Sequence, residues 1–413
     1  MQTLKFGCYD EFACTGPECE DSCCKHWTIS LTKREYLDFK KLDCSPELKA
    51  VIDSAFKRVK DGEDFKYARM ELKEDGSCPF LGEDRLCMLQ KEKGESALTL
   101  VCSSFPRNWA KIGEDAVAFS LTPTCYHVVE LLMQHPEGLV LMEEEYGGEN
   151  RWINKSLWTG VVLNGNEPAF PYIWSIKTAQ LDILQNRDFT TAERLLILGY
   201  YTQKVCDYLE NSPEKIGQLG AMMLDKELCR KIADSLKPPQ TEQQALAKST
   251  DILFKLTENA NKFSSKSRVT RLINLINVIA DNVGLKYELI EGSRYATFVN
   301  SNVCAENREL YEKLERERPH ITENLLVMLA FSRFPKNGEQ LWGDYFSLAV
   351  LYNFLRYYLA AFLPENFTDK ELAMGITNMV KVIINANSAT NLTMRDFAEH
   401  GMNSLSYVAF LIS

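Results

Sequence analysis

The chain has 413 residues, of which 45% are hydrophobic and 25% are charged, and this composition excludes a disordered or collagen-like protein. Its length leaves room for more than one hydrophobic core. The formal net charge of -10 at pH 7 argues against a nucleic-acid-binding surface, because phosphate backbones are bound by an excess of Lys and Arg.

The N-terminal sequence, MQTLKFGCYDEF, lacks a basic start followed by an apolar run and so does not predict a secretory signal. The most apolar stretch, residues 341–363, is interrupted by polar and charged residues, so we expect no transmembrane segment. The expected location is therefore the cytoplasm. A buried core helix is the default interpretation of residues 341–363, while self-association and a peripheral membrane contact stay open.

Residues 1–130 are rich in cysteine and predict a small, irregular α+β domain. Alternation of apolar and polar residues over 29–31 indicates a short strand. Thr32 and Glu35 have capping-box spacing, which predicts a helix over residues 36–42.

The segment CPFLGEDRLC contains two short apolar runs on either side of Gly82. This arrangement predicts a tight hairpin that brings Cys78 and Cys87 together.

Residues 131–188 predict a connecting region in which Gly and Pro residues break any long element. Residues 189–413 predict an all-α domain. The apolar positions at helical spacing are Val269, Leu272, Ile273, Ile276 and Ile279, and capping-box spacing recurs at Thr190–Glu193, Thr241–Gln244 and Thr368–Glu371. The predicted fold class is mainly α, with the cysteine-rich α+β domain first and the helical domain after it.

Ten of the thirteen cysteines lie between Cys8 and Cys125. Without an export signal they should stay reduced, and clustered reduced thiols are more often metal ligands or catalytic groups than disulfide partners. Eight of them form an ordered motif: Cys14, Cys19, Cys23, Cys24, Cys78, Cys87, Cys102 and Cys125. Four thiolates suit a tetrahedral zinc ion or an iron-sulfur cluster, and spacing alone leaves both open.

Adjacent side chains in an extended segment point in opposite directions, so we do not expect Cys23 and Cys24 to bind the same metal atom. Cys8 and Cys44 lie outside the motif and are interpreted as ordinary buried thiols. The C-terminal Cys206, Cys229 and Cys304 are interpreted as small apolar residues.

Three segments follow one another before Cys125: CTGPECEDSCCKHWTISLTKREYLDFKKL, CPFLGEDRLCMLQKEKGE and VCSSFPRNW. In order and spacing they resemble the flagellin lysine-N-methylase family and its cysteine-rich relatives. AFSRFPKNG, from Ala330 to Gly338, resembles that family's C-terminal segment.

The resemblance implies a cytoplasmic enzyme that moves a methyl group from S-adenosylmethionine to surface lysines of flagellin. It also implies a [4Fe-4S] cluster that is held by the cysteine motif and needed for transfer, with zinc as the alternative metal. The eight motif cysteines are the implied ligand candidates. Because one site needs four, either a second metal site exists or about half of them are structural.

The binding site for the methyl donor is weakly indicated, since no two glycines have the G-x-G spacing of a nucleotide-binding loop. Arg107 could clamp a donor carboxylate, although a structural salt bridge is the favoured interpretation. His26 and His127 could each complete a three-cysteine site, although a local hydrogen bond is favoured for both. Trp27 and Phe105 are expected to pack over a cluster and exclude water.

Two other functions stay open. One is a zinc-stabilised, non-enzymatic protein-binding module, and the other is an iron-sulfur redox or sensor protein. A radical-enzyme barrel is disfavoured, because the C-terminal pattern lacks alternating strands and helices. The sequence identifies no catalytic residue, and it leaves the oligomeric state and the polar or radical course of transfer open.

Overall fold

The computed structural model describes residues 2–25, 29–145, 160–238, 242–262, 270–290, 294–384, 395–399 and 401–412. Within these ranges the chain is mainly helical, with a five-stranded sheet, a three-stranded sheet and one two-stranded hairpin. The predicted fold class is thereby confirmed.

The strands are β1 (Gln2–Phe6), β2 (Ser30–Leu31), β3 (Phe56–Arg58), β4 (Ala68–Met70), β5 (Arg107–Ile112), β6 (Ala116–Leu121), β7 (Leu141–Glu145), β8 (Gly160–Leu163), β9 (Lys286–Ile290) and β10 (Arg294–Phe298). The N-terminal helices are α1 (Cys8–Glu11), α2 (Lys33–Lys41), α3 (Pro46–Ala55), α4 (Met88–Lys93), α5 (Leu100–Ser104) and α6 (Tyr126–Met133).

The later helices are α7 (Ile173–Leu184), α8 (Thr191–Asn211), α9 (Ile216–Met222), α10 (Lys226–Leu236), α11 (Glu242–Lys262), α12 (Thr270–Asn282), α13 (Ser301–Glu317), α14 (His320–Phe331), α15 (Gly338–Tyr358), α16 (Asp369–Ile383) and α17 (Leu405–Ile412). Short 3-10 turns cover Gly16–Glu18, Asp64–Lys66, Glu95–Ala97, Phe170–Tyr172, Pro213–Lys215 and Leu359–Phe362.

The five-stranded sheet has the order β7-β1-β6-β5-β8. Strand β1 runs parallel to β6, with Gln2 opposite Ala116, and antiparallel to β7. Every residue of β6 is buried, because both faces of this strand are covered. Ala116 and Ala118 face the large core of the protein, whereas Val117 and Phe119 form a separate apolar cluster with Trp109.

The three-stranded sheet has the order β2-β4-β3 and lies within the cysteine-rich part of the chain. Leu31, Phe39 and Ile52 are among the residues of an apolar cluster beside this sheet, which we call the small core. Thr32 accepts a hydrogen bond from the Glu35 amide, and Glu35 accepts one from the Thr32 amide, so the predicted capping box is confirmed. The predicted strand at residues 29–31 is also confirmed, as β2.

The large core runs from Phe6 to Ile412 and is built mainly from the C-terminal helices. At its centre lies α15, whose last eleven residues are all buried. The default interpretation of residues 341–363, a buried core helix, is therefore confirmed. No helix within the described ranges is long and apolar enough to cross a membrane.

The capping boxes at Thr190 and Thr368 are confirmed. On α12, Ile273, Ile276 and Ile279 are buried as predicted. Thr241 and Val269 lie outside the described residues.

Two local expectations were wrong. Residues 131–188 contain the twelve-residue helix α7, because its apolar side chains have a continuous core surface against which to fold. The C-terminal region is not purely α, since β9 and β10 form an antiparallel pair. The predicted domain boundaries at residues 130 and 188 stay a prediction, and the large core contains residues from both sides of them.

Candidate functional site

Three motif cysteines, Cys78, Cys87 and Cys102, lie beside the small core, and the backbone of Cys24 is hydrogen-bonded to that of Cys78. We call these four the hairpin set. The predicted turn is confirmed, because Leu81 pairs with Cys87 and the Gly82 amide donates to the Leu86 carbonyl at 2.9 Å. The Cys78 amide donates to the carbonyl of Cys24 at 2.8 Å, which fixes the CC segment against the hairpin.

Cys102 lies on α5, whose first turn is capped by Thr99. The side chains of Cys78, Cys87 and Cys102 pack against the small core. Burial raises the pKa of the Cys102 thiol to about 12, and the charges of the other three thiols of the hairpin set add to that rise.

Three further motif cysteines, Cys14, Cys19 and Cys125, form what we call the helix set. Cys125 is the N-cap residue of α6 and packs against the large core. Burial raises the pKa of its thiol to about 11, and the charges of Cys19 and Cys14 also raise it. Cys14 is exposed, and Cys19 follows the 3-10 turn at Gly16–Glu18.

The Cys23 thiol interacts with that of Cys24, its neighbour in the chain. A hydrogen bond with Cys23 lowers the pKa of the Cys24 thiol to about 7 and raises that of Cys23. Cys102 of the hairpin set and Cys14 of the helix set also act on Cys23 electrostatically.

All thirteen cysteines carry free thiols. Their chemistry fits a thiolate-bound metal, because sulfur donors in this number suit zinc or an iron-sulfur cluster. Within the described ranges, no three side chains of His, Cys, Asp or Glu are close enough together to hold a metal ion. A metal would therefore have to draw the thiols of a set together.

Arg107 and His127, two of the other candidate site residues, make local contacts. The Arg107 guanidinium donates to the carbonyl of Phe12 at 3.1 Å and lies over the Phe12 ring, and its proposed contact with a donor carboxylate stays a prediction. His127 hydrogen-bonds Glu130 at 3.0 Å, the local contact favoured from the sequence. His26 and Trp27 lie outside the described residues.

Cys8 is buried in the large core, whereas Cys44 is half-buried against the small core.

Sequence reasoning missed two contacts that hold the cysteine loop. Arg85 donates to the carbonyl of Cys19 at 2.5 Å. Lys381 of α16 forms an ion pair with Asp21, which lies between Cys19 and Cys23. Only the position of Asp21 within the motif could have drawn attention to it, because its partner is 360 positions away.

A cavity of about 630 Å³ lies between α8, α15 and the segment before α17. Its polar and aromatic lining includes Asp207, Glu210, Glu339, Trp342 and Asn403. No Lys or Arg lines it among the residues that the structure describes, so three carboxylates dominate its charge. Such a cavity favours a positively charged ligand.

The rim of this cavity is shaped by the AFSRFPKNG segment, which connects α14 to α15. The Asn337 side chain caps α15 by accepting from the Gln340 amide at 2.9 Å. The Cys206 thiol donates to the carbonyl of Gly338 at 3.2 Å. The Trp342 indole donates to the carbonyl of Asn403 at 2.7 Å, so its ring is held in one orientation.

Three known proteins are similar to part of the chain. Lysine-N-methylases of Salmonella typhimurium and Salmonella choleraesuis are each 33% identical over 137 residues, which is 32% of this chain and 33% of each of them. The flagellar biosynthetic protein FliU of Salmonella muenchen is 33% identical over 138 residues, 32% of this chain and 78% of that protein. The chain thus matches about a third of the length of the two lysine-N-methylases. No solved structure matches it.

Residues 178–411 match the family described as the FliB lysine N-methylase C-terminal domain. This match covers more than half of the chain, including every helix from α8 to α16 and the cavity residues on α8 and α15. The chain therefore belongs to the FliB lysine N-methylase family.

Proposed function

We propose that this protein is a cytoplasmic, S-adenosylmethionine-dependent lysine N-methyltransferase that acts on flagellin. The family match over residues 178–411 is the observation that carries the proposal. The names of the relatives, lysine-N-methylase and flagellar biosynthetic protein, support the reaction and the flagellar substrate.

The reaction sets clear demands on the site. The lysine amine must lose its proton and align behind the methyl carbon of the sulfonium donor. A nitrogen–carbon bond then forms as the carbon–sulfur bond breaks, which leaves S-adenosylhomocysteine and a methylated lysine. The positive charge of the sulfonium and the exclusion of water both lower the pKa of the lysine, so a dedicated base is not required.

The cavity beside α15 suits the entry of a lysine side chain. Its carboxylates, Asp207, Glu210 and Glu339, attract the ammonium group before it loses its proton. Trp342 also lines this cavity, and an aromatic ring is a favourable neighbour for an ammonium group. We propose that this cavity binds the substrate lysine.

The cysteine motif is the proposed site of a [4Fe-4S] cluster, with zinc as the alternative. When bound, the cluster would supply redox chemistry or an open iron position to the methyl donor. The motif cysteines would hold it, and Phe105 and Arg107 lie at the end of α5 and the start of β5, close in sequence to Cys102.

The decisive experiment is anaerobic purification followed by a methylation assay with flagellin and labelled donor. Wild type is compared with Cys23→Ala and with Cys44→Ala, which alters a cysteine outside the motif. We expect wild type and Cys44→Ala to incorporate label into flagellin lysines and Cys23→Ala to lose both cluster and activity. An absence of label in flagellin with wild type would overturn the proposed function.

The same samples test the role of the metal. Full activity in a Cys23→Ala protein that has lost its cluster would refute a cluster-dependent reaction. Retention of both cluster and activity would remove Cys23 from the ligand candidates. A colourless protein that contains zinc would favour the alternative metal, because iron-sulfur proteins are brown.

A further inference from the structure

We propose that the cavity beside α15 binds the methyl donor together with the substrate lysine. Glu339 and Trp342 of α15 form the wall that takes the donor, a zwitterion with a sulfonium cation. Asp207 and Glu210 of α8 form the wall that takes the lysine. This placement rests on the proposed function, which supplies the two reactants, and it deepens that function by giving both the same site.

The size of the cavity exceeds what one lysine side chain needs. The cavity measures about 630 Å³, whereas a cavity of about 150 Å³ already holds benzene, and a lysine side chain has one heavy atom fewer than benzene. Small-molecule sites span about 300–1,000 Å³. The lysine therefore occupies only part of the cavity, and the remainder has the size of a small-molecule site.

The charge of the cavity also exceeds that of one lysine. Asp207, Glu210 and Glu339 form no ion pair with another residue in the described ranges. Burial raises the pKa of the Cys206 thiol to about 12, and the charges of Asp207 and Glu210 also raise it, so their negative potential reaches the cavity wall. Lysine and S-adenosylmethionine each carry one net positive charge, and two such ligands balance three carboxylates better than one.

The two walls differ in chemistry. Asp207 and Glu210 are three positions apart on α8 and so lie on one face of that helix. The same spacing relates Glu339 to Trp342 on α15, and the Trp342 indole is fixed by its hydrogen bond to the carbonyl of Asn403. A fixed aromatic ring beside a carboxylate suits the sulfonium and the flat adenine ring of the donor, so the donor belongs on the α15 wall.

One shared cavity also meets the demand of the reaction that both reactants be aligned. The lysine ammonium first gives its proton to water. Its nitrogen lone pair then forms a bond to the methyl carbon, and the electron pair of the carbon–sulfur bond goes to sulfur. The product S-adenosylhomocysteine has lost the sulfonium charge, so the carboxylates hold it less strongly than the donor and favour its release.

The test measures binding of S-adenosylmethionine and of S-adenosylhomocysteine to the anaerobically purified full chain by calorimetry, without flagellin. The variant is Glu339→Gln. Glu227→Gln is the matched control, because Glu227 is also exposed in the first turn of a helix, α10, but does not line the cavity. We expect Glu339→Gln to lose about fivefold in affinity for S-adenosylmethionine and little for S-adenosylhomocysteine, and the control to match wild type.

An unchanged affinity for S-adenosylmethionine in Glu339→Gln would overturn the placement. A second measurement on wild type does not depend on how the variant folds. An azido-adenine derivative of the donor is cross-linked by light, and mass spectrometry after digestion locates the label. We expect label on the peptide that contains Trp342, and label confined to the cysteine motif would overturn the placement.

Both measurements are made without methyl transfer. A protein that binds the donor through Glu339 and methylates no flagellin would refute the proposed function alone. A protein that methylates flagellin but carries the cross-link outside the cavity would refute this placement alone.

Discussion

Lys381 of α16 forms a largely buried ion pair with Asp21, and the two side chains are 12% and 4% exposed. Asp21 lies in the loop between Cys19 and Cys23, whereas Lys381 belongs to the region that matches the FliB family. This pair is a direct link between the cysteine motif and the helical part of the chain. Because removing one partner leaves a buried charge, such pairs are costly to break.

We expect Lys381→Ala to loosen the cysteine loop and to lower the free energy of unfolding by about 3 kcal/mol. Alkylation of Cys19 and Cys23 in the metal-free protein should become faster, and mass spectrometry after timed labelling measures this. Lys381→Arg should restore slow labelling, because it keeps the charge. Lys370→Ala is the control, since Lys370 is exposed on the same helix, and equal labelling rates in both alanine variants would contradict the prediction.

A second buried ionic group connects α8 to α14. Arg194 contacts Glu323 at 2.8 Å, and their side chains are 5% and 1% exposed. Arg187 contacts the other oxygen of Glu323, also at 2.8 Å. The carboxylate of Glu323 thus neutralises two guanidinium groups at the edge of the large core.

Glu323→Gln keeps the size of the side chain but removes its charge, so the buried Arg194 loses the carboxylate that contacts it directly. We expect a loss of about 3 kcal/mol in the free energy of unfolding, measured by urea denaturation. Glu317→Gln on the exposed surface of α13 should change it by less than about 0.5 kcal/mol. The role given to Glu323 would be wrong if both variants unfolded at the same urea concentration.

The features that the sequence predicted well depend on residues close together in the chain. The capping boxes at Thr32, Thr190 and Thr368 follow from a three-residue spacing, and the Cys78–Cys87 turn follows from ten consecutive residues. Local hydrogen bonds decide both kinds of structure, so a local pattern is sufficient.

Contacts between residues that are far apart in the chain could not be predicted from a local sequence pattern. The second carboxylate oxygen of Glu35 accepts a hydrogen bond from the Leu100 amide at 2.8 Å, which ties α2 to the helix that bears Cys102. The cavity wall likewise combines Asp207 with Trp342 and Asn403. These positions meet only because α8 and α15 pack side by side, and periodicity shows that a helix has an apolar face without showing what covers it.

If the cavity binds the substrate lysine, its carboxylates should affect substrate binding more than the chemical step. We expect the double variant Asp207→Asn with Glu210→Gln to raise KM for flagellin about tenfold, or about 1.4 kcal/mol, with kcat nearly unchanged. Glu214→Gln is the control, because Glu214 is exposed nearby but does not line the cavity. An unchanged KM in the double variant would show that the substrate lysine does not bind in this cavity.

Lys177 of α7 is buried against the end of α14, where its ammonium group donates to the carbonyl of Ala330 at 2.6 Å and lies 5.1 Å from the centre of the Phe334 ring. Burial lowers the pKa of Lys177 from 10.5 to about 7, while Asp344 raises it and Arg333 lowers it further. Between these two values the unfolded chain binds more protons than the folded one, so this residue makes stability rise with pH.

Over that window the contribution of Lys177 has a limiting slope of about 1.4 kcal/mol per pH unit. Lys177→Met removes the titrating group, so we expect wild type to gain stability relative to this variant between pH 7 and pH 9. Urea denaturation at both pH values measures the difference. Lys231→Met, at an exposed position on α10, is the control, and its free energy of unfolding should change with pH as that of wild type does. If the free energy of Lys177→Met also changed with pH as in wild type, Lys177 would keep its proton in the folded state.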